Sequence, residues 1–209
     1  NMLSSLFLCY AVIHLLIWLW GWRLWSQTGR PTALLLVLIA STLLFYDNLR
    51  IGIGRFIGHG ELLYTLSVPA FAWHWSMLPL LVIAAGAMAR LAGLGWARNR
   101  LVMGAFCVAA VLLSALDIPS IFSMQLHPAC LADTLRYSTR VSAAQLCAGS
   151  EPIIGTGPGP LVAIITNIVV LAVGIALWIQ RGWPWLTVGA GLMFIAAGAF
   201  GSSAWSLPI

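Results

Sequence analysis

YDNLRIGIGRFIGHGELLYTLSVPAFAWHWSMLP, residues Tyr46 to Pro79, joins the end of one apolar run to the start of the next. It concentrates Asp47, Asn48, Arg50, Arg55, His59, Glu61 and His74 in a chain that is otherwise mostly hydrocarbon. Of the 209 residues, 61% are hydrophobic and 7% charged, whereas soluble domains carry about 25% charged residues. Apolar runs flank the stretch on both sides, at 3–22, 32–49, 63–89, 101–121, 160–180 and 185–207, each near the roughly 20 residues that cross a bilayer as a helix. In hydrocarbon a backbone must satisfy its own hydrogen bonds, so the runs are expected to be helices. The sequence therefore predicts an all-α, polytopic integral membrane bundle of about six transmembrane helices, forming one domain over 1–209. Pro69 and Pro79 should kink the long third run. Trp18, Trp20, Trp22, Trp25, Trp96, Trp183 and Trp185 crowd the ends of runs as interfacial belts do.

Four glycines, Gly52, Gly54, Gly58 and Gly60, interrupt the polar stretch and suggest a re-entrant or interfacial segment over 50–62. The remaining long connection, 122–159, reads as an outer loop. LADTLRYSTRVSAAQL inside it suits a short amphipathic helix or an irregular cap, and Gly155-Thr156-Gly157-Pro158-Gly159-Pro160 breaks helix before the fifth run. Cys130 and Cys147 bracket the loop's middle and are expected to form a disulfide in an oxidising compartment. Cys9 and Cys107 fall inside runs and read as packing residues.

All ten basic residues are arginines, scattered singly, so the +5 charge marks topology and not a phosphate-backbone partner; no nucleic acid is implied. With no lysine, the chain cannot carry a retinal Schiff base. The uncleaved N-terminal run reads as a span. Placing both termini outside puts six arginines in the inner loops and four in the outer ones, the sense of the positive-inside rule, and points to a bacterial inner membrane. All five acids, Asp47, Glu61, Asp117, Asp133 and Glu151, then lie on the outer side.

Ionisable groups in a span cost about 2.5–3.5 kcal/mol and usually face a partner or a cavity. An outer-facing polar pocket follows, with Asp47, Glu61 and His74 as candidate acid/base or metal-binding groups. Asn48, Arg50, Arg55, His14, Asp117 and His127 are the candidate ligand-binding residues, and Asp133 and Arg136 are expected to close the pocket from the loop together with His127. Ser114, Asn167, Ser202 and Ser203 also lie in the outer halves of their runs, with the two C-terminal serines better suited to close packing. The expected function is binding, with possible chemical modification, of a lipid-like or isoprenoid molecule. His14 and His74 each lie about 16 Å from the outer end of their helices. That shared depth also suits axial ligation of haem iron, or chlorophyll magnesium at either one, and two histidines with a carboxylate suit a divalent metal. A third reading is a structural accessory subunit in a homo- or hetero-oligomer, packed through the small residues of GAGLMFIAAGAFGSSA. No HExxH, Walker loop, GxSxG or CxxC is present.

Overall fold

The computed structural model describes residues 2–148, 151–153 and 159–201. Helices α1 (Met2–Gln27), α2 (Thr32–Ile57), α3 (Glu61–Met77), α4 (Leu80–Leu91) and α5 (Arg100–Phe122) come first. A hairpin of β1 (His127–Leu131) and β2 (Thr134–Ser138) follows, then α6 (Leu161–Arg181) and α7 (Trp185–Gly201). Four of the helices, α1, α2, α5 and α6, are long and apolar enough to cross a membrane, and α3 with α4 makes a fifth if the bent pair is one span. The apolar part of α7 that meets the same test of composition, Trp185–Ala196, is shorter. Ser202 and Ser203 lie outside the described residues, as do Gly155, Thr156, Gly157 and Pro158.

In the most apolar window of each of these four helices, only 11–33% of residues are buried inside the protein. The rest, including Trp20, Leu112 and Ile179, present hydrocarbon outward. Such a surface in water would drive aggregation; in a bilayer it is the solvated face. What the helices bury against one another is small: Ala84, Ala85, Gly86 and Ala89 of α4 are all buried. Ala85 and Ala89 form one core cluster with Leu94, Ala97, Val173 and Leu177. Small residues let backbones approach, and dispersion contacts rather than the hydrophobic effect hold helices together in lipid. At this end of the bundle Arg181 donates to the Ala92 and Gly93 carbonyls at 2.8 and 2.7 Å. It thereby satisfies carbonyls that α4 leaves open at its C-terminus.

The helix boundaries correct two sequence expectations and bear out the kink expected at Pro79. The 50–62 segment is not re-entrant: α2 continues through it to Ile57 and the chain turns only at Gly58–Gly60. Gly52 and Gly54 serve close approach. A Cβ on Gly52 would lie 2.8 Å from the Leu8 side chain of α1, and one on Gly54 would overlap the Leu135 carbonyl oxygen of the hairpin. The third run is two helices bent by 49° between Met77 and Leu80. Pro79 lacks the N–H that would bond the Trp75 carbonyl, whereas Pro69 sits within α3 without breaking it. Finally, the first part of the segment between the cysteines is no helix but belongs to an antiparallel hairpin, with His127 opposite Ser138 and Leu131 opposite Thr134, and only Ala143–Gln145 makes a short helical turn. The hairpin's own turn, Ala132-Asp133, holds Ala132 at φ 51°.

The Cys130–Cys147 disulfide forms as expected and ties β1 to the segment after β2. The hairpin is held at its tip as well. Asp133 accepts from the Leu3 backbone N–H at 2.9 Å and, more weakly, from that of Ser4, two amides with no carbonyl partner of their own in the first turn of α1. Arg55 of α2 pairs with the same carboxylate at 2.9 Å. Asp133→Ala should therefore release α1 and α2 from the hairpin together, lowering the unfolding temperature in detergent. Exchange at the Leu3 and Ser4 amides should accelerate by about tenfold, as expected when local opening becomes easier; unchanged exchange would show that the contact holds nothing.

Candidate functional site

The hairpin lies over the adjacent ends of α2 and α3. Asp47 and Arg50, three apart, share a face of α2; Ser67 and Phe71, four apart, share a face of α3. Arg50 is 2% exposed and fully engaged. Its Nη2 and Nε donate to Asp47 Oδ1 at 2.6 and 3.2 Å, and its Nη1 donates to Ser67 Oγ at 3.0 Å and to the Tyr137 carbonyl at 3.4 Å. The guanidinium lies 5.6 Å from the centre of the Phe71 ring. The Ser67 hydroxyl in turn donates to the Leu63 carbonyl at 2.7 Å.

A second arginine comes down from above. Along β2, Thr134, Arg136 and Ser138 alternate onto the face turned into the protein, the period of two that a strand imposes. Arg136 is 1% exposed, and its Nε, Nη1 and Nη2 have no hydrogen-bond partner among the described residues. Burial and then the neighbouring charge of Arg50 push its pKa down to about 10, against a smaller opposing pull from Asp47. Two guanidinium groups meet one carboxylate here, so the buried cluster carries excess positive charge. An unpaired buried ion costs several kcal/mol.

Directly below, an apolar groove of about 180 Å³ opens between α2 and α3, lined by Thr42, Leu43, Tyr46, Pro69 and Trp73. Tyr46, next to Asp47, spans the boundary between groove and cluster; its hydroxyl donates to the Leu66 carbonyl at 2.7 Å.

The other sequence-nominated residues fall elsewhere. Glu61 is exposed in the first turn of α3, and its side chain makes no hydrogen bond among the described residues. Asn48 turns back to the Leu44 carbonyl of its own helix at 2.7 Å. Arg55 is spent on Asp133, and His127 stands half-buried at the start of β1. Asp117 is buried on α5. His14 is half-buried on α1, which packs against α2. His74 makes no hydrogen bond to the cluster and lines a cavity of about 60 Å³ with Thr166 and Asn167 of α6 and Met193 of α7. Asp47, Arg50 and Ser67 thus come together, while Glu61 and the two histidines do not join them. His59, given no role in the pocket by the sequence, lies instead against the disulfide. Its Nε2 is 3.5 Å from Cys130 Sγ and 3.3 Å from Cys147 Sγ. Loss of water on its hairpin side lowers its pKa.

Period-two alternation in TLRYS is the one local signal that places Arg136 inside; nothing local reports what His59 meets 71 and 88 positions away. No protein-family model, curated protein or solved structure matches this chain.

Proposed function

We propose that this is a membrane-embedded binding protein for an acidic amphipathic molecule, a lipid or isoprenoid whose phosphate or carboxylate head sits at Arg136 and Arg50. The observation that carries the reading is the buried, unpartnered Arg136 guanidinium beside an Arg50 that already has its carboxylate. An anion would supply the missing acceptors and cancel the excess charge, and guanidinium forks suit phosphate and carboxylate oxygens. The groove below gives the apolar chain a place to begin. At about 180 Å³ it is smaller than an ordinary small-molecule pocket of roughly 300–1,000 Å³, so it suits part of one chain, with the remainder in the bilayer. Asp47, held on Arg50, is the one nominated carboxylate that belongs to this cluster, and its part in the reading is to orient Arg50 toward the head. In this reading α1, α2, the α3–α4 pair, α5, α6 and α7 are six spans. The hairpin faces outside with both termini, and the membrane is a bacterial inner membrane. The haem and chlorophyll readings draw no support from His14 and His74, whose surroundings differ.

The test is headgroup preference. Native mass spectrometry of the purified protein in mixed micelles should show retention of phosphatidylglycerol over phosphatidylcholine of the same chains. Arg136→Gln should abolish that preference, a loss of about tenfold or more for a charge-assisted contact. Equal retention of the two lipids by the unaltered protein would sink the proposal.

A further inference from the structure

We propose that Cys130, Cys147 and His59 become, once a dithiol has reduced the disulfide, a three-ligand site for a zinc-class divalent ion. The ligand atoms of the three residues already lie within 4.8 Å of one another. Two thiolates and one imidazole are a borderline-soft set, suited to zinc or cobalt and poor for calcium or magnesium. Around a tetrahedral zinc with metal–sulfur bonds of about 2.3 Å and metal–nitrogen bonds of about 2.0–2.1 Å, each sulfur–nitrogen edge is about 3.5 Å and the sulfur–sulfur edge about 3.8 Å. His59 Nε2 already stands at 3.3 and 3.5 Å from the two sulfurs, so two of the three edges are in place. Only the sulfurs have to part.

The imidazole is held for this geometry. His59 is presented on the Gly58-His59-Gly60 turn, where Gly58 takes φ 78°, a conformation side chains with a Cβ resist. Its ring meets Tyr137 edge-on at 5.7 Å, and Tyr137 in turn packs edge-on against Tyr64 at 5.3 Å. His59 is exposed, so the fourth position of the ion would be open to water or a substrate.

The chemistry balances. A dithiol gives up two electrons and two protons and leaves as its own disulfide; Cys130 and Cys147 emerge as thiols. Each thiol releases its proton as it takes the metal, and His59 contributes the Nε2 lone pair without loss of a proton from that atom. The cross-link between β1 and the segment after β2 is then a metal bridge in place of a covalent one. This site is separate from the arginine cluster and does not rest on what that cluster binds.

The experiment uses the whole protein in detergent, reduced with dithiothreitol, desalted without oxygen and titrated with cobalt(II) chloride. The expected result is one cobalt per chain in the reduced protein, with thiolate-to-cobalt charge-transfer absorption and tetrahedral d–d bands. The disulfide form should show neither. His59→Gln should weaken cobalt binding by about tenfold or more, the scale on which loss of a metal-site partner is felt. Cys130→Ser should remove most of the charge-transfer intensity. Failure of the reduced chain to bind cobalt, whether it stays folded or opens, overturns the proposal. So does binding with the same affinity and spectrum in His59→Gln.

Discussion

Arg136→Met is expected to stabilise the protein while removing its preference for acidic lipid. The substitution keeps an unbranched chain in the same volume but deletes a buried cation whose three nitrogens have no partner among the described residues. Exchanging buried ionic groups for packed apolar ones is often neutral or stabilising by about 1–4 kcal/mol, and here no partner carboxylate is stranded, because Asp47 remains on Arg50. Arg50→Met should do the reverse. It strips Ser67, the Tyr137 carbonyl and Asp47 of their donor, and breaking a buried pair costs about 3 kcal/mol or more. Thermal unfolding in detergent with and without phosphatidylglycerol separates the two. Arg136→Met should have the higher midpoint without lipid and the smaller rise with it. A large loss of stability in Arg136→Met would mean that the guanidinium is structural.

Gly54→Val should detach the hairpin. The α2 backbone runs so close beneath Leu135 that no Cβ fits, and the obstacle is a carbonyl oxygen, not a side chain that can swing aside. Overpacking at such a contact costs about 1–3 kcal/mol. Because β2 carries Arg136, the displacement should also cost lipid preference without touching a charged residue. Gly60, six positions on, has open space where its Cβ would be, and Gly60→Ala should change stability by less than about 0.5 kcal/mol. Amide exchange over His127–Ser138 reads out the detachment; protection equal to that of the unaltered protein would refute it.

The long helices were legible because hydrocarbon is an exacting solvent: it forces about 20 apolar residues in succession, and such runs are plain in the sequence. The Cys130–Cys147 pairing was legible from two cysteines in one polar loop. Gly52 and Gly54 misled, because glycine has low helix propensity, yet a tight crossing selects it whatever its propensity. The hairpin was obscured by a turn, Ala132-Asp133, without the Asn-Gly or Asp-Gly pair that usually marks one. The sequence places Arg136, with His127 and Asp133, over the pocket from the loop, but nothing in it marks the guanidinium as buried without a partner among the described residues. A residue's partners are a property of the folded chain, and the absence of partners even more so.

The break between Met77 and Leu80 divides the third apolar run into two helices that share α2 and α5 as neighbours and differ in the third. α3 packs on α2, α5 and β2; α4 packs on α2, α5 and α6. Its joint lacks a ladder bond at Pro79, and beside it Ser114 of α5 donates to the Ser76 carbonyl at 2.9 Å. The joint is thus held by fewer backbone hydrogen bonds than the helix on either side of it. Tilting of α3 beneath the hairpin would be taken up as rotation there, next to the cavity holding His74, Thr166 and Asn167. The alanine-packed α4 would keep its place while α3 tilts.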